Sequence, residues 1–237
     1  MKQLAERQHG VVSRPQLRAI GFSDRAIERA VEAERLYRIF RGTYAVGHSN
    51  LGPRGRLRAA TLACGEGAVI SHRSAGALLG LLDRGPAVID VIAPPSRGRK
   101  IDGIRFHRVR APRGDEVGTV NGIPCTSPAR TLVDLAGTVG DWTLRSCFER
   151  AAQRKVLDIP AIEASMDPGR RGNRSLHALI DEWRRAAPIA KKGKLNERDR
   201  WRDRELFTAG YNTLRITSHQ AERETAAVAD AIATRLG

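Results

Sequence analysis

Cysteine, aromatic side chains and long apolar runs are all scarce in this 237-residue sequence. Its three cysteines, Cys64, Cys125 and Cys147, are odd in number and widely spaced, which excludes a disulfide framework and a CxxC-type zinc pattern. Cys64 and Cys147 sit in apolar helical contexts and read as buried fillers. Aromatics make up 5% of the chain, so its cores must rest mainly on Leu, Ile, Val and Ala. The start, MKQLAERQHG, has no apolar h-region, and the longest apolar stretch, around GALLGLL, is too short to span a bilayer. No GxGxxG, P-loop, HExxH or kinase signature occurs. Ser71, His72 and Asp90 are the residue types of a hydrolase triad, but no GxSxG elbow accompanies them. His72 and Arg73 at a helix start read either as an anion site or as an ordinary capping turn. The default expectation is a cytoplasmic chain without metal or cofactor.

What is abundant is positive charge. Lys and Arg number 41 against 26 Asp and Glu, a formal +15, and Arg greatly outnumbers Lys. The planar guanidinium fork suits phosphates and guanine edges, so the balance points to a polyanionic partner. The first 110 residues hold +11 of the +15. The hydrophobic share of 41% is ordinary for a globular protein, and the length allows one large domain or two to three small ones.

Residues 2–46 have a compact rhythm. KQLAERQH reads as a short helix ending at Gly10, and Ser13 with Pro15 opens a second helix, RPQLRAI. Gly21 stops that helix and Ser23 caps a third, DRAIERAVEAER, whose Ile27, Ala30 and Val31 share one face. LYRIFRGTYAVG then gives two short strands pivoting at Arg41-Gly42, with Leu36, Ile39 or Phe40, Tyr44 and Val46 available for burial. Helix, helix, tight turn, helix and hairpin is the order of a winged helix-turn-helix, which presents its third helix to a DNA major groove. Ser23, Arg25 and Arg29 lie off the apolar stripe and are candidates for the groove-facing side. Arg14, Arg18, Arg38 and Arg41 are candidates for phosphate contact, and Tyr37 for stacking on or bonding to the backbone, or for the core. Glu28, Glu32 and Glu34 limit how deeply the C-terminal half of the third helix can enter a negative groove.

SNLGPRGR, residues 49–56, reads as a polar linker. Beyond it the pattern predicts a helix over RLRAATLACG, a strand at AVI and a helix at SHRSAGALLGLL with Ser71 as cap. Strands follow at AVIDVIAP and GIRFHRVR, where His107 lies between arginines. A turn at Asn121-Gly122, a strand, and a helix opening at Ser127-Pro128 come next, then helices near 141–154 and 173–186. The closing ERDRWRDRELFTAGYNTLRIT reads as a charged helix, a turn and a short strand.

Several of these stretches together resemble a known family. GVVSRPQLRAIGFSDRAIERAVEAERLYRIFRGTYAVG, SHRSAGALLGL, IDVIAP, GIRFHR and above all TSPARTLVDLA resemble the AbiEi-like antitoxins of type IV toxin–antitoxin systems, in their actinobacterial branch, across residues 2–155. The resemblance implies a winged helix that binds operator DNA and represses its own operon. It also implies a middle domain that neutralises a nucleotidyltransferase-type toxin. The tail resembles the end of a Vsr-like endonuclease of the PD-(D/E)XK group. The acidic strand pair that should precede such a tail, holding Mg²⁺, is missing, since AAPIAKKGKLN carries no carboxylate.

The resulting expectation is an α+β protein in three parts: a winged helix-turn-helix over 1–48, an α+β antitoxin domain over 56–190, and a nuclease-like remnant over 196–237. It is expected to bind double-stranded operator DNA, as a homodimer if the operator is an inverted repeat, and to catalyse nothing. Two alternatives stay open. One is a nuclease whose metal site is rebuilt elsewhere, and the other is a toxin-sequestering module that does not use DNA.

Overall fold

Capping residues fix where the first helices start. The structure, a computed structural model, describes residues 1–94 and 100–192, with side chains to Arg185. Helix α1 (Lys2–Glu6) leads into β1 (Val11–Ser13), α2 (Arg14–Ala19), α3 (Asp24–Glu32), β2 (Leu36–Phe40) and β3 (Thr43–Val46). Ser13 closes a capping box with Gln16: its hydroxyl accepts from the Gln16 amide, and its own amide donates to Gln16 Oε1 at 2.9 Å. Pro15 sits in the first turn, where its missing N–H costs nothing. Ser23 accepts from the Ala26 amide at 3.2 Å and starts α3. Gly42, at φ +74, makes the tight pivot between β2 and β3.

The three strands form an antiparallel sheet in the order β1-β3-β2, with Val12 opposite Tyr44 and Arg38 on the other side of Tyr44. Ala5, Val12, Leu17, Ile27, Ala30, Leu36 and Tyr44 make the buried cluster beneath it. Two expectations are corrected here. Helix α1 ends at Glu6, short of Gly10, and Val11–Ser13 form a strand. Three residues show no alternation of their own, and β1 exists only because β3 pairs with it.

Helix α4 (Pro53–Cys64) begins inside the stretch expected to be linker, again with Pro in the first turn. It joins the first lobe to the second. A Cβ on Gly55 would lie 2.8 Å from the His9 carbonyl oxygen, so glycine is what lets α4 press against the α1–β1 turn. Arg58 donates to Gln8 Oε1 at 2.7 Å, and His9 Nε2 lies 2.6 Å from the Asn121 carbonyl oxygen. Phe40, at the end of β2, packs on the second lobe's core rather than on its own. Met1–Arg184 form one compact unit, and a second unit starts at Arg185.

The second lobe is built on a five-stranded sheet, in the order β6-β5-β4-β8-β7. Its strands are β4 (Val69–Ile70), β5 (Ile89–Ile92), β6 (Ile104–Phe106), β7 (Val117–Val120) and β8 (Ile123–Thr126). β4 runs antiparallel to β5 and parallel to β8, β5 and β6 are parallel, and β7–β8 is a hairpin turning at Asn121-Gly122. All four residues of β5 are buried, so both of its faces are covered. Helices α4 and α5 (His72–Leu78) pack on the sheet, with Ala60, Ala63 and Ala75 against Ile70, Val91, Ile123 and Cys125. Ser71 holds the N-cap position of α5 but makes no capping bond; its hydroxyl meets His72 Nδ1 at 3.0 Å instead. Helices α6 (Pro128–Ala136), α7 (Asp141–Gln153), α8 (Ile159–Ser165) and α9 (Asn173–Lys192) pack around Leu132, Leu135, Leu144, Phe148, Ile162, Leu176 and Ile180. Helix α8 was not expected, though Asp158 caps it and Pro160 lies in its first turn. All three cysteines are buried and outside any disulfide among the described residues, and burial agrees with the filler role read for Cys64 and Cys147.

A charged network is buried in this lobe. Arg130, with no solvent exposure, donates to Asp134 Oδ1 at 3.0 Å, Glu116 Oε2 at 3.0 Å and the Arg110 carbonyl at 3.1 Å. Arg110 reaches Glu116 Oε1 at 2.7 Å, and Arg170 reaches Asp134 Oδ1 at 2.7 Å. Burial alone would raise the Glu116 carboxyl, but bonds from Arg110, the Arg113 amide and Ser165, with the charge of Arg130, bring it down to about 2.

Arg130→Met should cost about 3–5 kcal/mol, read from urea unfolding, because Glu116 and Asp134 lose their buried partner. The ordinary carboxyl value of 4.5 falls to about 2 in the fold, so the Glu116 contribution is complete above about pH 4.5 and disappears as pH drops towards 2. Glu116→Gln should flatten that part of the acid-unfolding profile.

Candidate nucleic-acid interface

Helix α3 carries two different polar stripes beside its buried one. Successive residues turn by about 100°, so Asp24 and Glu28 share one line and Arg25 and Arg29 the next. Ile27 and Ala30 face the core. Arg25 and Arg29 are exposed, and Asp24, Arg25, Glu28, Arg29 and Glu32 line one shallow depression on the helix.

The acidic stripe is occupied. Glu28 Oε1 accepts from Arg14 Nη2 at 2.6 Å, and its other oxygen accepts from Arg38 Nη2. Asp24 pairs with Arg18 at 3.3 Å and stands 3.9 Å from Arg14. One carboxylate on α3 therefore reaches the first residue of α2 and the middle of β2 together. The Tyr44 hydroxyl, then the charges of Asp24 and Glu28, hold the Arg14 guanidinium above its ordinary value. Arg18 and Arg38 keep 63% and 59% of their side-chain surface, so they remain reachable from solvent despite these pairs.

The candidate residues thus fall into three groups. Arg25 and Arg29 on α3, with Arg41 at the pivot of the hairpin, are exposed and form no ion pair among the described residues. Arg14, Arg18 and Arg38 are tied to α3 carboxylates. Ser23 is exposed but committed to its cap, and Tyr37 is half-buried opposite Ala45. The residues that sequence reasoning missed are the partners, Asp24 and Glu28. Glu28 stands 14 residues from Arg14 and 10 from Arg38. Neither spacing is a helical one, so no local pattern announces the contact.

The second polar cluster lies in the other lobe and offers little to a ligand. His72 is 3% exposed and stacks on His107 with ring centroids 3.5 Å apart. Burial, then the His107 charge, pushes its pKa down to about 3, so it is neutral near pH 7 and supplies no charge to an anion. Asp90 accepts from His107 Nε2 at 2.8 Å rather than from His72, and Ser71 is fully buried. The triad residue types are present without the triad.

The two lobes coincide with two family matches. Residues 1–47 match the family described as "Transcriptional regulator, AbiEi antitoxin", and residues 67–159 match "AbiEi antitoxin C-terminal domain". Both matches support an AbiEi-like antitoxin. The AbiEi regulator match spans α1 to β3, and the AbiEi C-terminal match runs from the turn before β4 to the start of α8. No curated protein matches the chain. Among solved structures it is similar to the RV2827C protein from Mycobacterium tuberculosis, at 20% identity and a TM-score of 0.41, covering 74% of this chain and 78% of that one. Residues 196–237, expected to be a nuclease-like remnant, lie outside the described residues. Among the described residues no helix is long and apolar enough to cross a membrane.

The Ser23 cap gives a direct check on its role. Ser23→Ala should lower stability by about 1 kcal/mol, seen as a shift in thermal midpoint, because the Ala26 amide loses its acceptor.

Proposed function

We propose that this AbiEi-like chain is a duplex-DNA-binding antitoxin and autorepressor that reads its own upstream DNA through α3. The observation that carries the reading is the pair of exposed arginines, Arg25 and Arg29, on the third helix of the regulator lobe, which form no ion pair among the described residues. They stand one stripe away from Asp24 and Glu28, and α3 is flanked by the basic hairpin. A guanidinium fits the N7 and O6 acceptors of guanine in the major groove, and the hairpin's Arg38 and Arg41 suit phosphates. Arg14 and Arg18 add to the phosphate-facing charge, with Ser23 and Tyr37 in supporting positions. Inverted-repeat operators would take two copies of the chain. The antitoxin match over the second lobe supports a toxin partner there, and the family resemblance makes a nucleotidyltransferase-type toxin the one proposed.

The same reading assigns the chain no catalytic step. Residues 186–196, AAPIAKKGKLN, contain no carboxylate to hold a divalent metal ahead of the nuclease-like tail. Purified protein should therefore leave supercoiled plasmid intact with and without Mg²⁺. Metal-dependent nicking that survives repurification would overturn this part of the proposal.

Binding to a duplex from the protein's own upstream region, followed by fluorescence anisotropy across a salt series, tests the main reading. Affinity should fall steeply with salt, by a log–log slope of about 0.9 for each phosphate contacted. Arg25→Ala and Arg29→Ala should each lower preference for that duplex over random DNA by about 1–3 kcal/mol. Arg41→Ala should weaken both duplexes alike. Equal losses on both duplexes for all three variants would reject the division of roles.

A further inference from the structure

Three of the four arginines assigned to phosphates do not stand idle in the free protein. Glu28 holds Arg14 from α2 and Arg38 from β2, and Asp24 holds Arg18. The Glu28 pairs are exposed: its side chain keeps 43% of its surface, that of Arg14 37% and that of Arg38 59%. Ion pairs this wet contribute little to folding, typically below about 1 kcal/mol, so stability is a weak reason for placing a carboxylate there. The geometry points elsewhere. A carboxylate and a phosphate accept from the same edges of a guanidinium with the same fork of N–H donors, so they compete for it.

We propose that Glu28 is a specificity-determining residue, whose carboxylate occupies donors on Arg14 and Arg38 that a DNA phosphate would otherwise take. The proposal rests on the duplex-binding reading above and deepens it. On random DNA, a phosphate must displace Glu28 and also approach its negative charge. Where Arg25 and Arg29 meet matching bases, α3 seats deeply and the added contacts offset that displacement. Glu28 thus lowers affinity for every duplex but lowers it most where the groove contacts are missing. Discrimination comes from a penalty on the wrong sites rather than from an extra contact to the right one.

Glu32 supplies the control. It lies one turn further along α3, is exposed, and meets no arginine among the described residues. Glu28→Gln and Glu32→Gln remove the same charge from the same helix, but only the first frees arginine donors. Both swaps are near-isosteric at solvent-reached positions, so the fold is kept, which circular dichroism melting checks.

The experiment measures anisotropy of the full chain on two labelled duplexes of equal length, one from its own upstream DNA and one random, over a salt series. For Glu28→Gln, random-duplex affinity should rise by about three-fold or more, and its log–log salt slope should steepen by about 0.9–1.8, as one or two phosphates are gained. Affinity for the upstream duplex should rise less, so the ratio between the two falls. Glu32→Gln should shift both duplexes equally and leave the ratio unchanged. An unchanged ratio for Glu28→Gln, or a loss on both duplexes, overturns the proposal and makes Glu28 a brace for the hairpin. If the unaltered chain binds neither duplex, the duplex-binding reading falls first and takes this one with it.

Discussion

Arg130 is a guanidinium enclosed by protein on every side, and the second lobe closes around its hydrogen bonds. From α6 it donates to Asp134 on the same helix, to Glu116 just ahead of β7 and to the backbone carbonyl of Arg110. Through Asp134 the network extends to Arg170 ahead of α9, and through Arg110 to Asp167 beyond α8. Arg110, Glu116, Asp167 and Arg170 come from connections between the main helices and strands, and the network fastens those connections to core helix α6. Charged groups removed from water need partners with good geometry, and here one arrangement of sheet and helices supplies them. The closeness of the layers shows nearby as well. Gly172, at φ +89, lies where a Cβ would come within 2.2 Å of the Ala136 carbonyl group. The stretch TSPARTLVDLA, inside the AbiEi C-terminal match, holds in physical terms a buried cation and its anion one helical turn apart.

The first lobe handles charge in the opposite way, with exposed pairs that water reaches. A count over residues 1–50 gives +4, yet that figure does not say which cations have donors to offer. Pairing by Asp24 and Glu28 engages Arg14, Arg18 and Arg38 and leaves Arg25, Arg29 and Arg41 without an ion pair among the described residues, while the sum is unchanged. Field and donor availability are separate properties, and only the first follows from composition. What a polyanion meets is set by the second at contact distance and by the first further out.

Much of the local structure was legible because it is encoded locally. The caps at Ser13 and Ser23, the Ser127 hydroxyl that accepts from the Arg130 amide at 3.3 Å, the prolines in first turns and the pivot at Arg41-Gly42 each act within four residues. The elements missed were those that depend on distant partners. β1 is three residues recruited by β3, and Phe40 leaves its own lobe for the neighbouring core. The contacts of Glu28 and the Arg130–Glu116 bond span ten or more residues with no helical period. Asp134 alone was readable as a partner of Arg130, since i,i+4 spacing on a helix brings the two together. Helix α8 carried its signals in Asp158 and Pro160, but at seven residues it was too short to show a periodic face.

The seating of Phe40 on the second core and of Gly55 against the His9 carbonyl has a thermodynamic consequence. A reading head on a flexible tether samples many headings, and a ligand that selects one must overcome that orientational entropy on binding. Here the heading is settled when the chain folds, because the shared helix α4 and the wing's aromatic side chain clasp the lobes together. That orientational cost falls on folding, where buried apolar surface offsets it, so a duplex bound as proposed would not have to meet it again.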